Sequence, residues 1–78
     1  MALFISYYKG SNKVLIYLSN FADKSHSSTV SFNAAELGLT GKLAAKDAER
    51  GSSIVITSST FPITVPGRDF RIVEIRGI

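Results

Sequence analysis

The 78-residue sequence contains no cysteine and no tryptophan, and its one histidine is His26. Without cysteine, disulfide bonds cannot compensate for a small core, although many domains of this size depend on them. A single histidine without cysteine also cannot supply the four nitrogen or sulfur ligands that a structural zinc ion requires. We therefore predict neither a metal site nor any other cofactor site.

Long apolar runs are also missing. No stretch reaches the roughly 18 consecutive apolar residues that a membrane-spanning helix needs, so a membrane partner is not expected. The first residues, 1–6, lack the basic start and the longer apolar run of a signal peptide, and they are predicted to begin a strand. The absence of cysteine fits reducing and oxidising compartments equally, so the sequence leaves the location open.

The length of the chain indicates one small domain over residues 1–78. With 45% hydrophobic residues, the chain is too apolar for a disordered segment. Nine lysines and arginines exceed six acidic residues, but the basic residues are spread along the chain and interleaved with acids. Proteins that bind nucleic acids usually concentrate basic residues on one face, so nucleic acid is the disfavoured partner.

Short β-prone runs alternate with turn residues along the whole chain. We predict strands at 3–8, 13–19, 28–32, 42–47, 52–58, 60–65 and 69–76. Turn signals that recur every 8 to 12 residues are typical of antiparallel sandwiches and small barrels. The predicted fold class is therefore all-β, an antiparallel β-sandwich of six to seven short strands. A closed barrel remains the alternative.

One segment favours helix. Asn33 is a suitable N-cap, the residues that follow it favour helix, and Gly38 supplies a stop. This predicts one helical turn near 34–37, too short to be stable alone. Its expected role is to place Leu37 and Leu39 on the core.

Two of the predicted strands carry additional information. The strand at 60–65 alternates cleanly, and Pro62 cannot donate a ladder hydrogen bond, which predicts an edge strand or a bulge. In the strand at 69–76, Ile72 and Val73 belong to apolar sets that point to opposite faces. Either both faces are covered, or a β-bulge between these two residues switches the inward side. The bulge is the favoured interpretation.

The sequence offers no catalytic residue. Asp47 and Glu49 are only two positions apart, whereas the two carboxylates of a glycosidase face each other across a cleft. His26 lies with Asp23 and several serines in one predicted polar loop, whereas a catalytic triad assembles from separate elements. These residues are predicted to form turns and exposed loops, and the domain is not expected to be an enzyme by itself.

The aromatic residues are the best candidates for a ligand platform. Aromatic rings stack on sugars and on unpaired bases. Tyr8, Tyr17 and Phe21 are the residues that we predict for such a platform, while most of the other rings are expected to fill the core or to meet a neighbouring domain. Lys9 and Lys13 lie close to the two tyrosines in sequence, so a small barrel that binds single-stranded nucleic acid is kept as an alternative. This alternative predicts that Lys9, Lys13 and Lys24 cluster around exposed rings.

The order of segments resembles the C-terminal antiparallel β-sandwich domain of glycoside hydrolases of the α-amylase-like and α-galactosidase-like clan. The similar segments are 14–24, a buried strand that ends in Asn20; 30–39, a strand followed by the Leu37-Gly38 turn; and the closing segments 45–51, 61–66 and 70–75. In such enzymes the catalytic carboxylates lie in a separate (β/α)-barrel. The resemblance therefore implies an accessory domain without catalytic residues.

The resulting interpretation is a non-catalytic accessory domain of a larger carbohydrate-active enzyme. Its expected partner is a catalytic (β/α)-barrel domain or a second copy of the chain, with weak carbohydrate contacts as a further possibility. The alternatives are a small carbohydrate-binding module and a small β-barrel that binds single-stranded nucleic acid.

Overall fold

Seven antiparallel strands form two sheets in the computed structural model, which describes residues 3–77. The strands are β1 (Leu3–Gly10), β2 (Lys13–Asn20), β3 (His26–Ser31), β4 (Leu43–Asp47), β5 (Ser53–Ile54), β6 (Thr60–Val65) and β7 (Asp69–Gly77). The first sheet has the order β1-β2-β7-β4-β5, and the second pairs β3 with β6. This confirms the predicted sandwich and excludes the barrel. Met1, Ala2 and Ile78 lie outside the described residues.

The core lies between the inner face of the first sheet and the second sheet. From the first sheet, alternate residues of β2 and β7 are buried, because period two turns every second side chain to the same face. From the second sheet, Phe61 and Val65 of β6 are fully buried. The buried apolar residues are Val14, Ile16, Leu18, Val30, Leu37, Leu39, Ala45, Phe61, Val65, Val73 and Ile75.

The last strand contains no bulge. The register between β2 and β7 runs from Asn20 opposite Asp69 to Lys13 opposite Arg76 without an inserted residue. Val73 and Ile75 therefore point inward, while Ile72 points to the outer face. The favoured bulge was wrong. β7 is a continuous strand with apolar residues on both faces, but the outer face is not fully covered in this chain, since Ile72 is half-buried and Phe70 is exposed.

The predicted helical turn is present as a single hydrogen-bonded turn over residues 34–38. The Leu37 amide donates to the Asn33 carbonyl (3.1 Å), and the Glu36 amide donates to Asn33 Oδ1 (3.1 Å). Gly38 ends the turn with a φ of 75°, a conformation that glycine adopts without a steric penalty. No helix within residues 3–77 is long and apolar enough to cross a membrane.

The strand predicted at 52–58 is shorter in the structure and is followed by a tight turn. Thr57 and Thr60 exchange two backbone hydrogen bonds of 2.9 Å across Ser58 and Ser59. Both serines have positive φ, 49° and 62°, as a type I′ turn requires. The turn leads into β6, which lies in a two-stranded sheet and is therefore an edge strand, as Pro62 predicted.

Candidate functional site

The carboxylates singled out in the sequence shape a turn. Asp47 is buried, and its Oδ1 accepts hydrogen bonds from the amides of Glu49 (2.9 Å) and Arg50 (3.0 Å). Glu49 is exposed, whereas Asp47 is buried and bonded to the backbone of its own turn. Within the described part of the chain, no group of three His, Cys, Asp or Glu side chains is arranged to hold a metal ion.

His26 belongs to a strand and not to an exposed loop. It is the first residue of β3, it lies opposite Val65, and it is half-buried. The polar loop predicted to extend through Ser27 thus ends earlier, because the ladder with β6 begins at His26. Asp23 forms an ion pair with Arg68, at 2.5 Å between Oδ1 and Nε. These contacts therefore do not bring His26 and Asp23 together as a catalytic triad would require.

The three predicted platform residues separate into two places. Tyr8 and Tyr17 touch edge to face, with ring centroids 5.7 Å apart and an interplanar angle of 80°. Phe21 follows the end of β2, four residues beyond Tyr17, which corresponds to roughly 13 Å along an extended chain. One flat platform that includes all three rings is therefore not formed.

Tyr8 and Tyr17 belong to an apolar patch on the outer face of the first sheet. We call the outer patch the four residues Tyr8, Leu15, Tyr17 and Ile72. Tyr8 lies opposite Leu15, and Tyr17 lies opposite Ile72. Tyr8 is 68% exposed, and the other three are half-buried. An antiparallel sheet with one solvated face normally carries polar residues there, so this face differs from an ordinary solvated face.

The three lysines of the nucleic-acid alternative, Lys9, Lys13 and Lys24, do not lie together around the exposed rings. Lys13 and Lys24 lie near opposite ends of β2, more than roughly 20 Å apart along the strand. Lys9 lies opposite Val14 and thus on the inner face, while Lys13 is on the outer face. The clustering that the nucleic-acid alternative predicted is therefore absent for these three lysines.

Phe21 instead shares a cleft with Phe70 at the end of the first sheet where β2 finishes and β7 begins. We call this the Phe21–Phe70 cleft, and its volume is about 260 Å³. Both rings are open to solvent, with Phe21 71% and Phe70 44% exposed. The cleft is lined by Ser19, Asn20, Phe21, Arg68, Asp69 and Phe70. Two exposed phenylalanines thus stand beside charged and hydroxyl groups.

Asn20 fixes the two loops that frame this cleft. Its side chain is buried, with the residue only 2% exposed. Nδ2 donates to the carbonyls of Lys24 (2.9 Å), Val65 (3.0 Å) and Pro66 (3.2 Å). Oδ1 accepts from the Ala22 amide (2.9 Å). A single amide side chain therefore joins the loop after β2 to the loop between β6 and β7.

The same two loops touch directly at Gly67. A Cβ at this position would overlap the backbone carbonyl of Asp23. The next residue, Arg68, has a φ of 52°, and its amide donates to the Ala22 carbonyl (2.8 Å). A non-glycine residue in this left-handed conformation costs on the order of 1 kcal/mol and persists where the surroundings fix it. The two loops that frame the cleft are thus held together by contacts within the chain itself.

Replacing Gly67 with alanine is expected to lower the free energy of unfolding by about 1–3 kcal/mol, the cost of forcing extra volume into a packed site. The added methyl group must push the Asp23 backbone away, because a carbonyl cannot rotate aside as a flexible side chain can. Gly10→Ala is the matched control, since a Cβ there finds its nearest heavy atom at an ordinary 3.6 Å. Urea denaturation followed by circular dichroism measures both. Equal losses in the two variants would contradict the close packing of the loops.

A second apolar opening lies on the inner side of β1. Ile5 and Tyr7 face inward, but they are 43% and 55% exposed, because the second sheet has only two strands and does not reach over β1. Together with Ile16, Val30 and Phe32 they line a groove of about 210 Å³. The inner face of β1 is therefore covered only in part by this chain.

Sequence reasoning found Phe21 but missed Phe70, Arg68 and Asp69. Only the register between β2 and β7 indicates that Phe70 lies near Phe21. In this register Phe70 is opposite Ser19, and Ser19 precedes Phe21 by two residues. That register joins two ends of the chain and was not predictable from either segment alone. The Pro66-Gly67 turn marked the position of the second loop, but not its contact with Asp23.

Comparisons with known proteins give one structural likeness. No protein-family model matches the chain, and no curated protein matches it. Among solved structures, its fold is similar to part of a GH30 endoxylanase from Clostridium papyrosolvens C71, with a TM-score of 0.68 and 19% sequence identity. The likeness covers 100% of this chain and 21% of the endoxylanase chain. The chain thus has the fold of a domain-sized part of a glycoside hydrolase and spans about a fifth of that enzyme's length.

Proposed function

We propose that the chain is a non-catalytic accessory β-domain that packs against the catalytic domain of a larger carbohydrate-active enzyme. The observation that carries the proposal is the likeness to the endoxylanase, which extends over this whole chain but over only 21% of the enzyme. Most of that enzyme therefore lies outside the shared fold. The finer assignment to the α-amylase-like or α-galactosidase-like clan remains a prediction from sequence resemblance.

The outer patch is the surface that we assign to this docking. Leu15 and Ile72 are aliphatic, and they lie on the two central strands, β2 and β7, where a solvated sheet face would carry polar side chains. Burial of apolar surface contributes about 25 cal/mol per Å², so covering these side chains stabilises the whole assembly. Interfaces between domains of one chain usually bury about 600–1,500 Å².

Charged side chains lie along one side of the outer patch. Glu74 lies opposite Leu15 and forms ion pairs with Lys46 (3.9 Å) and Arg76 (3.1 Å). An apolar centre with a charged rim is the usual anatomy of a protein interface. The distribution of charge therefore supports the same face as the docking surface.

The test begins with the coding sequence around this chain. We expect a glycoside hydrolase catalytic domain in the same reading frame or in a neighbouring one, and its absence would contradict the proposal. Once that catalytic domain is identified, Leu15→Lys is expected to weaken its binding to this chain at least tenfold, because a charge would be placed in an apolar contact. Isothermal titration calorimetry measures the affinity if the domains are made separately, and differential scanning calorimetry measures coupled unfolding if they are joined.

Thr29→Lys is the matched control for this substitution. Thr29 is exposed on β3, in the sheet that lies on the other side of the core from the outer patch. The control should retain the affinity and the coupled unfolding of the unaltered chain. If Leu15→Lys and Thr29→Lys behave alike, the outer patch is not the docking surface.

A further inference from the structure

We infer that the Phe21–Phe70 cleft is a binding site for a neutral saccharide, in which the two phenylalanine rings take the apolar face of a sugar ring. The inference does not depend on docking to a catalytic domain. It rests on the exposed rings, on the charges beside them and on the fixed frame of the cleft.

The first observation is the exposure of two rings that have no polar group. Phe21 is 71% exposed and Phe70 is 44% exposed, although phenylalanine is among the residues most often buried. An exposed tyrosine or tryptophan can form a hydrogen bond with water through its polar atom. A phenylalanine ring has no such atom and is stabilised only when another apolar surface covers it. Pyranose rings present C–H groups on one face, and an aromatic ring is a suitable surface for them.

The second observation is the balance of charge around the rings. Arg68 pairs with Asp23 at 2.5 Å, and Arg71 pairs with Asp69 at 3.5 Å. Each arginine of the cleft end therefore has its own carboxylate. A site for phosphate or for a nucleic-acid backbone requires an excess of positive charge, which is not available from these two pairs. A ligand that carries hydroxyl groups suits the two charged side chains that line the cleft, Arg68 and Asp69, because hydroxyl groups donate to carboxylates and accept from guanidinium groups.

The third observation is the rigidity of the frame. The four hydrogen bonds of Asn20 and the close approach of Gly67 to Asp23 hold the two loops at a fixed separation. Phe70 is additionally anchored through its amide, which donates to Asp69 Oδ1 at 2.7 Å. A preformed site binds without first ordering its loops, and this lowers the entropic cost of binding.

The size of the cleft limits the ligand. Its volume of about 260 Å³ is below the 300–1,000 Å³ that is typical of sites for drug-sized molecules. The cleft is thus small, and an oligosaccharide of several units would extend beyond it. The expected affinity is in the millimolar range, as suits an open site with two stacking rings.

The experiment is an amide-resolved NMR titration of the full 78-residue chain with xylohexaose, with cellohexaose and with a single-stranded dT6 oligonucleotide. We expect saturable shifts with at least one of the two saccharides, confined to the loops at 20–24 and 66–70. Phe21→Ala and Phe70→Ala should each weaken this binding at least tenfold. Both side chains are open to solvent, so the variants should keep the spectrum of the folded chain outside the cleft.

Tyr8→Ala is the matched control, since Tyr8 is equally exposed but belongs to the outer patch. It should bind the saccharide as the unaltered chain does. The inference is overturned if no amide moves with either saccharide at millimolar concentration, or if the shifts surround Tyr8 and Tyr17. It is also overturned if only dT6 binds, with an affinity that falls steeply with salt. Because the isolated chain is used, failure here leaves the docking proposal to its own test.

Discussion

Asn20→Ala should lower the free energy of unfolding by about 3 kcal/mol, since it removes four side-chain hydrogen bonds to the backbone, one of them buried and three partly buried. In the native chain the two hydrogens of Nδ2 serve three carbonyls, and Oδ1 accepts from the Ala22 amide. Alanine removes all of these bonds, and the carbonyl of Val65 is too deep for water to replace the lost donor. Chemical denaturation in urea, followed by circular dichroism, measures the loss.

Two further variants separate hydrogen bonding from the loss of volume. Asn20→Asp keeps the shape of the side chain but replaces the donor with an oxygen that faces three carbonyls, so its loss should equal or exceed that of Asn20→Ala. Asn33→Ala removes the same amide from an exposed cap and should cost only about 1 kcal/mol. If Asn20→Ala loses no more than Asn33→Ala, Asn20 does not hold the two loops together.

Phe61→Ala should cost about 3–5 kcal/mol, the range measured for large aromatic side chains removed from cores. Phe61 is fully buried, lies opposite Val30 in the second sheet and touches Phe32, with ring centroids 6.1 Å apart. It therefore fills the space between the two sheets. A loss of this size is comparable to the whole stability that a domain of 78 residues is expected to have.

The measurement for Phe61 is the dispersion of the ¹H–¹⁵N spectrum together with the urea midpoint. Phe61→Ala should show the narrow spectrum of an unfolded chain, while Phe61→Leu should remain folded with a lowered midpoint. Phe21→Ala makes the same chemical change at an exposed position and should leave the free energy of unfolding within about 0.5 kcal/mol of the unaltered chain. A well-dispersed spectrum and an unchanged midpoint for Phe61→Ala would contradict the assigned core.

The parts of the fold that local chemistry determines could be predicted from the sequence. The strand at 60–65 was predicted with its observed bounds, because alternating burial imposes a period of two. The turn after Asn33 was predicted because an N-cap and a glycine stop act within a few residues. The turn at Ser58 and Ser59 was not predicted, since two serines rarely form a type I′ turn and asparagine-glycine is the usual signal.

The parts that depend on pairing across the chain could not be predicted. The bulge was inferred because Ile72 and Val73 could not both be assigned to one core; in the structure, Ile72 belongs to the outer patch. The neighbourhood of Phe21 and Phe70 follows from the register between β2 and β7, which no local pattern specifies. Aromatic residues could thus be recognised as candidates, but their grouping into a patch and a cleft required the three-dimensional structure.

The position of β2 between β1 and β7 has a consequence for how the chain reaches this structure. Its pairing with β1 closes across a two-residue turn, whereas its pairing with β7 joins residues 13–20 to residues 69–76. A hairpin forms in about 1–10 μs, but pairing between distant segments must first overcome the entropy of closing a long loop, so folding is slower, in the range of milliseconds to seconds. A chain in which only β1 and β2 have paired exposes the apolar residues on both faces of β2. The time before β7 arrives is therefore the period in which unfolded and partly folded chains can associate with one another.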